Sequence, residues 1–219
     1  MIKGCIFDLD GVIVDTAHYH YLAWKRLADE LGYKLTLQEN EQLKGVSRME
    51  SLKIILSLAA ITFKNGELER LADKKNGWFN EYVERMTPEE IFPGVKELIR
   101  DLKSKGIKVG LASSSKNAKT VIRLLQIQDE FDAIVDGNMI LHTKPHPEIF
   151  LTTAAKLALE PRQCVVIEDA EAGVEAALAA GMKCIGIGSP ELLHRANKVF
   201  SRTSQVNIAT LQSLEAVQN

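Results

Sequence analysis

Two acids, two residues apart, close the first apolar run of the chain: Cys5, Ile6 and Phe7 lead into Asp8, Leu9, Asp10 and Gly11. On an extended segment, residues two apart point to the same side. Asp8 and Asp10 therefore share a side where a strand hands over to a loop. Carboxylates that close repel and desolvate one another, and a fold gains nothing from them unless a cation or a reaction uses them. A solvated Asp-Gly turn is the other reading of the same residues.

Later apolar runs end in the same manner. Residues 109–112 lead to Ser113, Ser114, Ser115, Lys116 and Asn117, a further loop holds Lys144 and Pro145, and residues 165–167 end at Glu168 and Asp169. Ligands of open α/β sheets bind beyond the carboxyl ends of the strands, so these four polar ends are expected to converge. Oxygen donors in that number suit a hard cation, Mg2+ first. The cysteines and histidines do not show zinc spacing. A small hydroxyl and backbone N–H groups at the helix start after Ser115 suit a phosphate oxyanion. Lys144 adds a point charge, and Pro145 keeps the residue before it extended. Together these residue types point to phosphoryl transfer, in which positioning and charge neutralisation supply most of the catalysis.

The elements that must position these groups fall into two kinds. Residues 16–88 contain no convincing strand, and their apolar spacing predicts helices over 19–31, 49–60 and 67–86. From Pro93 onward helices alternate with short apolar strands: 95–105 and 108–112, 118–125 and 133–135, 148–157 and 165–167, 172–180 and 184–187. Gly106 and Gly181 stand where helices should stop. Such alternation means a parallel sheet with helices on both faces, and the strand at 4–7 belongs with it. The expected architecture is a Rossmann-like α/β core, residues 1–15 and 90–219, interrupted by an α-helical cap, residues 16–89.

Composition limits the partners. The chain has 219 residues, 46% of them apolar, with a formal charge of -2. No basic excess suggests nucleic acid or an anionic membrane, and no apolar run is long enough to span a bilayer. The N-terminal apolar run breaks at Asp8, unlike a signal peptide. Three cysteines without a CxxC pair read as reduced core residues in a cytoplasmic protein. No seam suggests an oligomer, so a monomer is expected.

The stretches Asp8-Leu9-Asp10-Gly11-Val12, Ser113, Lys144-Pro145 and Glu168-Asp169 resemble the four motifs of the haloacid dehalogenase superfamily. The resemblance covers the whole chain, including the helical cap after the first motif. It implies that Asp8 is a nucleophile that becomes an aspartyl phosphate and that Asp10 is the general acid/base. It further implies that Ser113 and Lys144 hold the phosphoryl group. Mg2+ would be bound by Asp8, the backbone carbonyl of Asp10 and Asp169, with Glu168 as a ligand or supporting partner.

The cap must decide which phosphate ester is used. Thr16, His20 and Trp24 are four apart and share a face of the first cap helix. Lys44, Gly45, Val46, Ser47 and Arg48 lead into the next. Each has an ordinary reading as a core residue or a solvated charge. Arg48 at a helix start faces the positive end of the dipole, a mild sign that it serves an anion, which arginine binds bidentately. These residues, with Ser51 and with Ser115, Lys116 and Asn117 of the core, resemble the sugar-phosphate mutases of the superfamily. That likeness implies interconversion of glucose 1-phosphate and glucose 6-phosphate through a 1,6-bisphosphate. Arg48, Lys116 and Asn117 are then expected to hold the second phosphate, and His20 to restrain Asp10 until sugar binds. The nearest rival is a phosphatase of small sugar or polyol phosphates; a non-catalytic sugar-phosphate binder would not need both Asp8 and Asp10. Ser114, the 137–143 loop with His142 and Thr143, and the tail after Ser189 depart most from the pattern.

Overall fold

The computed structural model describes residues 1–43, 46–62 and 65–215, Asn65 by its backbone alone. The chain divides into two compact units, Met1–Asp15 with the chain from Thr87 onward, and Thr16–Met86. The later edge of the helical unit thus lies at Met86 rather than at residue 89.

The first unit is built on a six-stranded sheet in the order β3-β2-β1-β4-β5-β6. The strands are β1 (Gly4–Phe7), β2 (Lys108–Ala112), β3 (Ala133–Val135), β4 (Cys164–Glu168), β5 (Lys183–Ile187) and β6 (Lys198–Phe200), and every pairing is parallel. This is the doubly wound order, in which successive strands build outward from β1 on one side and then on the other. The residues of β1 and β4 are all buried, as continuous apolar runs are when helices cover both faces of a sheet. The covering helices are α5 (Val95–Ser104), α6 (Ala118–Leu124), α7 (Glu148–Lys156), α8 (Glu171–Ala179) and α9 (Ile208–Glu215). Phe150 and Ala154 of α7, and Val174 and Ala177 of α8, pack in one cluster with Ile6, Val166 and Cys184 of the strands.

The expected α/β class is the observed one. The periodicity missed β6, a half-buried edge strand of three residues, and α9, whose start is marked by Asn207 Oδ1 accepting from the N–H of Thr210 at 3.0 Å. Cys5, Cys164 and Cys184 are free and buried. Burial pushes the Cys5 thiol far up, with Cys164 adding to it, and raises Cys164 to about 11, which disfavours thiolate chemistry.

The second unit holds α1 (Ala17–Glu30), α2 (Leu37–Asn40), α3 (Arg48–Leu58) and α4 (Asn65–Val83). Ala23, Trp24, Leu27 and Ala28 form the buried face of α1, and Leu71, Ala72, Trp78, Phe79 and Val83 that of α4. The spacing placed the ends of α3 and α4 two and three residues late; Ser47, which caps α3 by accepting from the Glu50 N–H at 3.3 Å, starts that helix at Arg48, one residue before the expected start. Among the described residues, no helix is long and apolar enough to cross a membrane.

Candidate active site

The register of the sheet places the chemistry. Phe7 lies level with Leu111 on one side and Ile167 on the other. The next residues, Asp8, Ala112 with Ser113, and Glu168, therefore leave the same edge at the same height. After β1 the chain turns tightly: Ile13 and Val14 N–H groups donate to Leu9 O, and Gly11 N–H donates to Val14 O at 2.9 Å. Gly11 has φ +73°, and a Cβ there would lie 2.0 Å from Asp169 Oδ2. Gly173 in α8 is required for a similar reason, since a Cβ would meet the Glu168 carboxyl at 2.0 Å. The two glycines make room for two of the acids.

Lys144 connects the cluster. Its Nζ donates to Asp8 Oδ1 at 2.5 Å and to Glu168 Oε2 at 2.8 Å, with all three side chains almost fully buried. Phe150 closes one side, with the ammonium 5.0 Å from its ring centroid. Burial works against the Lys144 charge, but Asp8 and Glu168 outweigh it by charge and hydrogen bond and hold the ammonium protonated far above its usual range. Glu168 is anchored further by the Ala170 N–H, which donates to Oε1 at 3.1 Å.

Among the described residues of this unit, the Lys144 ammonium lies amid four acids. Burial raises the carboxyl of Asp8, against the pull of Lys144, to about 7. Burial, then the charge of Asp8, lifts Asp10 to about 8. Burial, then Glu168 and Asp8, lifts Asp169 to about 9. Carboxyls so placed keep their protons unless another cation arrives. Oxygens of Asp8, Glu168 and Asp169 lie within 4.8 Å of one another. Asp10 Oδ1 is buried without a hydrogen-bond partner among the described residues. An all-oxygen, anionic donor set with an orphaned acceptor beside it fits a hard divalent cation. The Asp10 carboxylate lies outside that three-residue group.

The Ser113 turn departs from expectation in one respect. Ser113 is buried, and its Oγ accepts from the Ser115 N–H at 3.1 Å. Ser115 Oγ accepts in turn from the Asn117 N–H at 3.2 Å. Two of the N–H groups expected to face an anion are thus taken by neighbouring hydroxyls. Lys116 is exposed, and Asn117 precedes α6. Asp136, just after β3, is a buried acid at a further strand end that the spacing did not single out; its Oδ1 accepts from the Asn138 N–H at 2.9 Å and caps the turn.

In the helical unit, Thr16 is buried at the start of α1 and its carbonyl accepts from the His20 N–H at 3.0 Å. His20 is half-buried and Trp24 buried. Ser51 is buried on α3, Val46 is exposed, and the Ser47 hydroxyl is engaged as the α3 cap. Arg48 is half-buried and lies 3.6 Å from the largely exposed Asp73. Lys44 and Gly45 lie outside the described residues. Sequence reasoning missed Lys75. It is 1% exposed on α4, and its Nζ lies 2.7 Å from His20 Nδ1, 4.5 Å from the Trp24 ring centroid and 5.1 Å from that of Phe79. The signal was there: Lys75 falls within the stripe Leu71, Ala72, Trp78 and Phe79. Loss of water, then Lys75 and Arg48, holds the His20 imidazole well below its usual pKa and therefore neutral. Phe79 stacks on that ring at 4.1 Å.

The family model for haloacid dehalogenase-like hydrolases matches residues 5–187. The chain belongs to that family. Among haloacid dehalogenase-like proteins it is 44% identical over 212 residues to the beta-phosphoglucomutase of Bacillus subtilis, covering 96% of this chain and 94% of that one. It is 34% identical over 188 residues to a phosphorylated carbohydrates phosphatase of Thermotoga maritima, covering 84% of each. The crystal structure of a beta-phosphoglucomutase from Clostridium difficile superposes over the whole of both chains with a TM-score of 0.95 at 43% identity. The matched span contains all four polar strand ends.

Proposed function

We propose that this chain interconverts beta-D-glucose 1-phosphate and glucose 6-phosphate through an aspartyl phosphate on Asp8 and beta-glucose 1,6-bisphosphate. The observation that carries the chemistry is the Lys144 ammonium between Asp8 and Glu168 in a buried acid cluster. The ammonium holds the Asp8 carboxylate in one orientation, which is the pre-positioning a nucleophile needs. The likeness to beta-phosphoglucomutase over nearly the full length supports the sugar and the mutase outcome.

In the first step, with Asp8 already carrying a phosphoryl group, Asp10 takes the proton from the 6-hydroxyl of glucose 1-phosphate, whose oxygen attacks that phosphoryl group; the bond from phosphorus to Asp8 breaks and the 1,6-bisphosphate forms. In the second step, with the bisphosphate turned round, an Asp8 oxygen bonds to the phosphorus at the 1-position as its bond to the sugar oxygen breaks. Asp10 donates the proton to that departing oxygen, which leaves glucose 6-phosphate and the aspartyl phosphate renewed. A carboxyl raised to about 8 carries the proton between the two steps near neutral pH. Ser113 and Lys144 are proposed to hold the transferring phosphoryl group. Mg2+, held by Asp8, Glu168, Asp169 and the Asp10 carbonyl, would when bound neutralise charge on the phosphoryl oxygens. Arg48 is proposed to bind the phosphate that is not reacting, and Thr16, His20, Trp24, Ser51, Ser115, Lys116 and Asn117 to line the sugar's path. Action as a cytoplasmic monomer on small sugar phosphates completes the reading.

The test supplies beta-glucose 1-phosphate, Mg2+ and a trace of the 1,6-bisphosphate. Glucose 6-phosphate forming without stoichiometric free phosphate is the expected result. Free phosphate as the main product would overturn the mutase in favour of a sugar phosphatase.

A further inference from the structure

The loop between β3 and α7 holds a cluster that the proposed reaction does not use. His142 and His146 stand two residues before and two residues after Lys144. A ring nitrogen of each and a carboxylate oxygen of Glu148 lie within 4.8 Å of one another. Glu148, first in α7, turns back on the loop: Oε1 accepts from the Leu141 N–H and Oε2 from the His142 N–H, both at 2.9 Å. Oε2 also lies 2.9 Å from His142 Nδ1 and 4.0 Å from His146 Nδ1. The two rings are 4.6 Å apart between centroids.

Four-coordinate ions with ligands at zinc distances hold neighbouring ligand atoms about 3.3 Å apart. The separations of 2.9 and 4.0 Å bracket that value, so small ring rotations suffice. The contact an ion would replace at His146 is weak, a 3.3 Å bond from the Glu148 N–H to Nδ1. The carboxylate is already oriented by two backbone N–H groups, the kind of outer support that tunes metal ligands. Both imidazoles are open to solvent, with 63% and 52% of their side-chain surface exposed. Two imidazoles and one carboxylate suit Zn2+, Ni2+ or Cu2+ rather than Mg2+. The spacing did not suggest zinc because the third ligand comes from the helix that follows and is brought in only by the fold of the loop.

The geometry points to a second metal site, formed by His142, His146 and Glu148, that takes a borderline transition-metal dication and clips the loop carrying Lys144. The probe is Zn2+, titrated calorimetrically into chelator-stripped protein in millimolar Mg2+, which keeps the core acids occupied. The expected result is one saturable site, weakened at least about tenfold in His142→Ala and in His146→Ala. Zn2+ should also slow amide hydrogen exchange in the 141–148 segment of the wild type and leave it unchanged in His146→Ala. Both variants change exposed side chains, so their melting temperatures without Zn2+ should match the wild type. Absence of a saturable site in the wild type would overturn the proposal. So would Zn2+ affinity within threefold of wild type in both variants, which would place the ion on other groups.

Discussion

The α/β unit buries acids around one ammonium, whereas the helical unit buries cations around a neutral imidazole. In the first, Asp8, Asp10, Glu168 and Asp169 gather around Lys144, and the three aspartic carboxyls are pushed up toward their protonated forms. In the second, Lys75 and Arg48 press on His20 and push it the other way. Buried charge of one sign is costly unless something offsets it. The acids of the first unit therefore call for a cation at the strand ends.

The largest effect should come from removing the acid that makes the covalent bond. Asp8→Asn keeps shape and the Lys144 contact but loses the nucleophile, and turnover should fall by at least about 10⁴-fold. Rapid acid quench with radiolabelled substrate should then trap no phosphoenzyme. Retained turnover would mean that the acids of the core serve only as a metal cage, and the contrast would lose its catalytic half.

The next prediction concerns the cation itself. At a Mg2+ concentration about 100 times its dissociation constant, the protein should gain about 2.7 kcal/mol, or about 5–10 °C in melting temperature. Without metal, the raised carboxyls bind protons in the folded state that the unfolded chain, with ordinary values near 4, has released. Their contribution to stability is present at low pH and is lost as pH rises through about 7, 8 and 9. His20, with a lowered pKa, pulls the opposite way at more acidic pH, so the window from about pH 7 to 9 isolates the acids. Melting curves in chelator should fall across that window, and curves in Mg2+ should be flatter. Equal slopes would show that the cluster does not take the ion.

The acids were legible in the sequence because each ends a short apolar run, and a parallel sheet aligns such ends whatever lies between them. Fold class was legible for the same reason: strands such as β1 and β4 are continuous apolar runs between helical repeats. What stayed hidden depended on partners distant in sequence. Lys75 lies 55 residues from His20, and a lysine within an apolar stripe reads as a stem lying along the surface with its charge in water. The hydroxyls of Ser113 and Ser115 look free in the sequence, yet the turn spends them on the N–H groups of Ser115 and Asn117. Asp136 follows a strand of only three residues, too short to announce its end.

A smaller effect tests the phosphate contact proposed for Arg48. Arg48→Ala removes the half-buried guanidinium while leaving the acids of the other unit intact. A lost charged hydrogen bond of about 1.5–3 kcal/mol corresponds to about 10- to 150-fold. That loss should appear in the bisphosphate-dependent reaction and hardly at all in hydrolysis of a small monophosphate such as acetyl phosphate. Equal losses in the two assays would remove the second phosphate from Arg48.

The smallest effect separates the causes acting on His20. Lys75→Met keeps an apolar stem between the Trp24 and Phe79 rings but removes the ammonium 2.7 Å from Nδ1. Burial is the larger cause of the depressed imidazole pKa and Lys75 the second. The variant should therefore raise the His20 pKa, read from its ring-proton chemical shifts against pH, and still leave it below the ordinary value near 6.5. A value restored fully to 6.5 would mean that charge, not burial, rules this cluster. A value that does not move would mean that the helical unit keeps His20 neutral by exclusion of water alone, and the two units would then differ in burial rather than in the sign of the charge they hold.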